Sequence, residues 1–248
     1  MTADGQSDGR GSVPGTSGVT VRADGPAGVG YGVLLGLVLL AVLIPLVAPV
    51  EVVGLLASIL VQGLTVVVAV RVAAIPPRLQ RTILMLVGGA FVLTLVAVTL
   101  LAAVGAAVGP LLAIARGLGL VLALVVPVLI VRDVVARPTI TMQTVAAVLC
   151  VYLLLGLAFA FLHRITDGVA PGSYSMRLEA ADAVYLSYVT LTTVGFGDVT
   201  PVGGFARAIT VFEAILGQLY LVSVVALIVG NVGRTRPAVQ QDQRSEDV

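Results

Sequence analysis

The sequence predicts an all-α membrane protein with six transmembrane helices and a short re-entrant helix and loop between the fifth and the sixth. Two observations lead to this fold class. The 248-residue chain is 58% hydrophobic and only 11% charged, with a mean hydropathy of +1.11, whereas roughly a quarter of the residues in a soluble domain are charged. Its apolar residues also form runs close to the roughly 20 residues that a helix needs to cross a bilayer.

Six apolar runs have that length, and polar or turn residues separate them. The runs are 30–50, 52–70, 82–104, 111–131, 140–162 and 206–230. Their separators include Glu51, the arginine-containing segment 71–81, the Gly109-Pro110 pair and the segment 131–138. Only the connection between the fifth and sixth runs is long, so it alone has room for a re-entrant element.

The chain is predicted to divide into four parts. Residues 1–29 and 231–248 are rich in Gly, Ser, Pro and charged residues, and we expect them to be disordered tails because they cannot bury enough apolar surface to fold. Residues 30–138 form a four-helix transmembrane region, and residues 139–230 form a second unit that contains the long connection. The first apolar run is of membrane-spanning length, so we expect it to be retained rather than cleaved as a signal peptide.

Arginine positions predict the orientation in the membrane. The second-to-third connection contains Arg71, Arg78 and Arg81, and the fourth-to-fifth contains Arg132 and Arg137, whereas the two short intervening turns contain none. Because cytoplasmic loops carry the excess of basic residues, we expect both termini in the cytoplasm and the long connection outside. The chain is thus predicted to be a multi-pass protein of the plasma membrane, which is the cell's inner membrane.

Charge and the rare residue types exclude several functions. The formal net charge of +1 gives no basic footprint for nucleic acid. Cys150 and His163 are the only residues of their types, so no internal disulfide, cysteine metal site or catalytic constellation is expected, and both are predicted to be structural. We therefore expect neither an enzyme nor a bound cofactor.

The segment TVGFG, at 193–197, breaks the apolar pattern inside the long connection. Backbone at membrane depth is tolerated only where it is buried in protein or lines an aqueous cavity. Gly195 and Gly197 permit backbone angles closed to other residues, so the carbonyls of Thr193, Val194, Gly195 and Phe196 could point toward a common axis. Such rows of carbonyl oxygens replace the hydration shell of an ion.

TVGFG followed by Asp198 resembles the selectivity filter of potassium channels, in which Tyr usually stands in place of Phe196. The segment 182–191 resembles the pore helix of that family and 212–230 resembles the inner helix, so the resemblance covers about 140–230. Independently of the resemblance, Asp182 can act as the N-cap of the short helix. The resemblance implies a homotetramer in the lipid bilayer, in which potassium is bound at Thr193, Val194, Gly195 and Phe196 and is the transported ion. The alternative is a glycine-rich loop that merely joins two spans.

The resemblance also implies roles for residues around the filter. Asp198 would be held by hydrogen bonds behind the filter, with Tyr185 as the candidate donor, or would be a solvated charge at the mouth. Val189 lies where some bacterial members carry a Glu, so no buried carboxylate pair is expected there.

On the predicted inner helix, Gly217 lies at the place of the gating hinge in potassium channels, although close helix packing would equally require a small residue. Gln218, Leu221 and Val225 are predicted to line the cavity. Glu213 is an acid within a span and is therefore a functional candidate. We expect it to support the pore helix or the filter rather than to line the cavity.

The six-span arrangement resembles voltage-gated channels, but the fourth run has Arg116 alone inside it. One charge moved through 100 mV supplies only about 2.3 kcal/mol, so strong voltage gating is not expected and the first four spans are a degenerate sensor or a collar. Regulation by a ligand would require a separate protein. The predicted function is passive, potassium-selective conduction, and the alternatives are a poorly selective cation channel and a potassium transporter subunit.

Overall fold

The computed structural model describes residues 27–47, 51–72, 77–103, 109–135 and 141–232, and every regular element in these ranges is an α-helix. The all-α prediction is therefore confirmed for this part of the chain. The helices are α1 Ala27–Val47, α2 Glu51–Val72, α3 Pro77–Ala103, α4 Gly109–Val135, α5 Met142–Val169, α6 Ala180–Leu191 and α7 Gly204–Val232. Most of both predicted tails lies outside the described residues, although α1 begins three residues before the predicted boundary at residue 30.

Five of these helices contain apolar stretches long enough to cross a membrane, as expected for a multi-pass protein. The stretches are Gly30–Val47, Gln80–Ala97, Arg116–Val135, Met142–Val169 and Gly204–Ala226. Within the described residues, α2 supplies only the shorter apolar stretch Leu60–Val72. The layout of exactly six spans stays a prediction.

Helices α1 and α4 pack directly against α5, whereas α2 packs against α1, α3 and α4. The largest buried cluster joins α1, α2, α4 and α5 through Leu34, Val38, Val70, Val126, Ile130 and Cys150. Cys150 is fully buried in this cluster, in agreement with its predicted structural role. The hydroxyl of Tyr31 on α1 donates a hydrogen bond to Asp133 Oδ2 on α4. Thus α1 and α5 connect the first four helices to α6, which both of them contact.

Helix α6 is a short helix that packs between α5 and α7. It begins at Ala180 with Glu179 as its N-cap, so the prediction that Asp182 is the N-cap was wrong. Asp182 instead lies in the first turn, where its Oδ2 accepts a hydrogen bond from the Glu179 backbone N–H at 2.9 Å. A carboxylate at this position satisfies a free helix-end donor and favours the positive end of the helix dipole.

The connections before α6 and before α7 pair with each other. An isolated antiparallel bridge joins Tyr174 and Pro201, and the Val202 N–H donates to Ser173 O at 2.8 Å. Helix α5 also extends seven residues beyond its predicted end at 162, to Val169. Together these features hold Tyr174 beside α5, where its ring packs edge-on against His163.

Candidate functional site

The segment 193–197 continues directly from the C-terminal end of α6. The backbone N–H groups of Val194 and Gly195 both donate to Val189 O, at 2.9 and 3.3 Å, and the Thr193 N–H donates to Thr190 O at 2.9 Å. These bonds satisfy carbonyls that the end of a helix leaves without intrahelical partners. The position of the segment is therefore set by α6.

The backbone of this segment alternates in the sign of φ. The angle is +60° at Thr193, +58° at Gly195 and +78° at Gly197, whereas Val194 and Phe196 are not among the positive-φ residues. When left-handed and right-handed residues alternate, every second peptide plane is reversed relative to a regular strand. Successive carbonyl oxygens then lie on the same side of the chain. Thr193 adopts the left-handed conformation without being a glycine, at a cost of about 1–2 kcal/mol.

Asp198 follows the segment and is bonded to α6. Tyr185 Oη donates to Asp198 Oδ2 at 2.8 Å, and the Val199 N–H donates to Asp198 Oδ1 at 3.0 Å. The Tyr185 bond lowers the pKa of Asp198 and raises that of Tyr185, because it favours the ionised carboxyl and the neutral phenol. The Phe196 ring stacks on Tyr185, with centroids 6.3 Å apart and planes inclined by 3°.

The predicted cavity-lining residues lie on one exposed side of α7. Leu221 and Val225 are 37% and 58% exposed in the single chain. Gln218 is exposed as well, but its Nε2 donates to Thr193 Oγ1 at 3.2 Å. Gln218 is therefore joined to the start of the 193–197 segment, a contact that the sequence did not indicate.

Gly217 is the point of closest approach between α7 and the end of α6. A Cβ atom added there would lie 2.6 Å from Leu191 O and 2.9 Å from Leu191 Cδ1. Because the nearer atom belongs to the backbone, it cannot move aside by a change of rotamer. This contact is enough to require a glycine at position 217, so it favours the close-packing interpretation. The gating hinge at Gly217 stays a prediction.

Glu213 lies behind α6 and not on the exposed side of α7. Its side chain is fully buried. Its Oε2 lies 2.8 Å from His163 Nε2, and its Oε1 lies 2.5 Å from Ser187 Oγ. The bond to Ser187 agrees with the expectation that Glu213 supports α6. A fully buried carboxyl does not agree with the alternative, that Glu213 lines the cavity. Glu213 makes no hydrogen bond to residues 193–198.

His163 was predicted only to be structural, and its link to Glu213 is an addition from the structure. It is fully buried, and its Nδ1 lies 2.8 Å from Tyr174 Oη, a hydroxyl whose pKa burial raises to about 12. The available sequence signal was an ionisable side chain directly at the end of an apolar run, where a buried position requires a polar partner. That partner is 50 residues away along the chain, and sequence spacing could not reveal it.

Comparison with known proteins supports an ion channel. Residues 147–233 match a family model described as "Ion channel", and this range contains α6, the 193–197 segment and the contacts of Glu213. A protein named LctB from Geobacillus stearothermophilus is 50% identical over 50 residues, which are 20% of this chain and 35% of that protein. The alignment thus spans about a third of the relative's length. No solved structure gives a significant match.

The fold and this match support a multi-pass helical membrane protein whose residues 147–233 are similar to an ion-channel family. The matched range begins within α5 and reaches past the end of α7. It therefore covers two membrane helices together with the short helix α6 and the 193–197 segment between them.

Proposed function

We propose that the protein is a potassium-selective channel of the plasma membrane that conducts K⁺ passively, with both termini in the cytoplasm. The observation that carries this proposal is the alternation of φ at Thr193, Gly195 and Gly197 within the sequence TVGFG. Carbonyl oxygens aligned on one side can replace the hydration shell of K⁺. The ion would bind the carbonyls of 193–196 and the Thr193 hydroxyl, and no other bound group is needed for conduction.

The functional unit in this proposal is a homotetramer. One chain supplies one carbonyl row, whereas an ion must be surrounded by several, and closed rings of identical subunits are the common way to obtain them. Val194 and Phe196 are 53% and 70% exposed in the single chain. Neighbouring subunits would cover these apolar side chains, just as lipid covers the outer faces of the membrane helices.

We prefer potassium selectivity to the alternative functions because the row of backbone carbonyls from Thr193 to Phe196 is uninterrupted. A poorly selective cation channel would be expected to break this run of carbonyls. A potassium transporter subunit would be expected to carry several degenerate copies of the motif, and the chain contains one. Phe196 lacks the hydroxyl of the usual Tyr, but an ion would contact Phe196 through its carbonyl, which the substitution retains.

Strong voltage gating is not part of the proposal. Within the membrane stretch of α4, Arg116 and Arg132 are the only basic residues and lie sixteen positions apart. A voltage sensor needs several charges in series, because one charge supplies only about 2.3 kcal/mol per 100 mV, and two arginines so far apart do not form such a series. The opening stimulus would then come from elsewhere, for example from a separate regulatory protein.

The test is ion flux through the full chain reconstituted in liposomes, with K⁺ and then Na⁺ as the permeant ion. We expect K⁺ flux to exceed Na⁺ flux by a large factor and to depend weakly on voltage. A Gly195→Ala variant should lose selective flux, because an Ala at φ +58° costs about 1–2 kcal/mol at each of four subunits.

Gly172→Ala is the matched control. Gly172 also has a positive φ, of +84°, and has open space around its Cβ position, but it lies in the connection after α5. The same type of backbone strain should leave conduction intact there. Equal Na⁺ and K⁺ flux in the wild type would refute selectivity, and normal selective flux in Gly195→Ala would refute the filter assignment.

A further inference from the structure

A continuous row of buried polar groups runs behind α6. Ser187 Oγ lies 2.6 Å from Gly156 O and 2.5 Å from Glu213 Oε1. Glu213 Oε2 lies 2.8 Å from His163 Nε2, and His163 Nδ1 lies 2.8 Å from Tyr174 Oη. The row therefore joins α5, α6, α7 and the connection before α6. The Ser187, Glu213 and His163 side chains are fully buried, so water does not complete their hydrogen bonds.

The number of hydrogens available determines how this row is bonded. A hydroxyl donates one hydrogen, and a carbonyl oxygen only accepts. The contact between Ser187 and Gly156 O must therefore use the single hydrogen of Ser187. No Ser187 hydrogen remains for the contact with Glu213 Oε1, so that contact requires a hydrogen on the carboxyl. An ionised Glu213 would leave two buried oxygens facing each other at 2.5 Å without a hydrogen between them.

The remaining two contacts are completed by a neutral imidazole. His163 in the tautomer protonated at Nε2 donates to Glu213 Oε2, and its Nδ1 accepts the Tyr174 hydroxyl hydrogen. All four contacts then have one hydrogen each, and the row has no net charge. An imidazolium beside the protonated acid would instead bury an uncompensated positive charge, which is costly in a low dielectric.

The surroundings of Glu213 agree with a neutral acid. The titratable groups that face the row are Tyr152 on α5 and Tyr188 on α6, together with Asp167, which acts on Tyr174. Among the described residues, the one ion-pair contact of Glu213 is with His163, and no arginine compensates a carboxylate there. A buried carboxylate without a fixed cation is strongly disfavoured.

We propose that Glu213 carries a proton on Oε1 and, as a neutral acid bonded to Ser187 and to a neutral His163, is a positioning residue for α6. The effect on ions rests on the proposed function, because α6 holds the 193–197 segment through Val189 O. The protonation of Glu213 does not depend on that function. The row fixes the distance of α6 from both flanking helices without placing a charge behind the ion path.

The decisive experiment is infrared spectroscopy of the reconstituted full chain at neutral pH, with Glu213→Gln as the test variant. We expect the wild type to show the carbonyl stretch of a protonated carboxylic acid, and we expect Glu213→Gln to lack it. Glu179→Gln is the matched control, since Glu179 is exposed, and it should retain the band. Absence of the band in the wild type, or its survival in Glu213→Gln, overturns the proposal.

A second measurement uses the shape of the glutamine amide. Gln at position 213 can donate an N–H to Ser187 Oγ and accept from His163 Nε2, as a protonated Glu does, but it cannot form an ion pair. Glu213→Gln should therefore keep the unfolding temperature of the wild type, whereas Glu213→Leu, which leaves a buried His163 donor unpaired, should lower it by about 2–10 °C. Failure of Glu213→Gln to fold would indicate an ion pair and would overturn the proposal.

Ion flux separates this proposal from the proposed function. If Glu213 positions α6, selective K⁺ flux should be lower in Glu213→Leu than in Glu213→Gln. Equal flux in the two variants would overturn the positioning role. An acid band that depends on Glu213 in a protein without K⁺ flux would leave the protonation in place and refute the channel assignment instead.

Discussion

Replacing Gly217 by alanine tests whether this glycine is needed for packing or for bending. In the packing interpretation, the new Cβ lies 2.6 Å from Leu191 O, whereas carbon and oxygen atoms normally approach to about 3.3–3.6 Å. Helix α7 or the end of α6 must therefore move by roughly 0.7 Å or more. In the bending interpretation, Ala simply makes α7 a better helix.

The two interpretations predict stability changes of opposite sign. Overpacking in a well-packed interior costs about 1–3 kcal/mol, and the better helix propensity of Ala returns about 1 kcal/mol. Packing thus predicts a variant that is destabilised by up to about 2 kcal/mol, which is a fall in Tm of up to about 8 °C for a chain of this size. Bending without a packing requirement predicts a gain of about 1 kcal/mol.

Gly88→Ala on α3 is the matched control, because a Cβ there meets nothing within 4 Å and should give only the propensity gain. The assay is thermal unfolding of the purified full chain in detergent, with the oligomer checked by size-exclusion chromatography. Gly217→Ala should unfold at a lower temperature than Gly88→Ala. If Gly217→Ala is stabilised as much as Gly88→Ala, the packing argument fails and the hinge becomes the better explanation.

Two further substitutions remove single hydroxyl groups. Tyr185→Phe keeps the ring beside Phe196 but loses the bond that lowers the pKa of Asp198. This bond stabilises the protein above the unfolded pKa of Asp198, and it is lost as the pH falls through the folded pKa. Without the bond the pKa of Asp198 is higher, so the decline of K⁺ flux at acid pH should begin at a higher pH in Tyr185→Phe. A decline at the same pH in both proteins would contradict this role of Tyr185. Tyr220→Phe removes a 2.6 Å bond to Val148 O and should cost about 0.5–1.5 kcal/mol in thermal unfolding, while an unchanged Tm would show that the bond contributes nothing.

Local pattern predicted the helices well, because apolar runs and the breaks between them determine where a membrane helix can begin and end. The predicted short helix ending at Leu191 has the observed end. Its start was misplaced because Asp is a preferred N-cap residue and Glu is not, whereas the extended backbone at Glu179 makes that residue the N-cap in the structure. Likewise, α5 continues through His163 to Val169, because its polar last turns are covered by the connection at Tyr174.

The sequence by itself determined the class of fold, the position of TVGFG and the glycines that its backbone requires, because each of these depends on neighbouring residues. The tertiary structure decided how distant residues meet. Glu213 and His163 are 50 positions apart and Tyr185 and Asp198 are 13 apart, and no pattern along the chain specifies such pairs. The physical reason is that a buried polar atom must find a partner wherever the helices bring one within about 3 Å. For the same reason, the proton on Glu213 can be inferred only from the two contacts of the Ser187 hydroxyl, one with Gly156 O and the other with Glu213 Oε1.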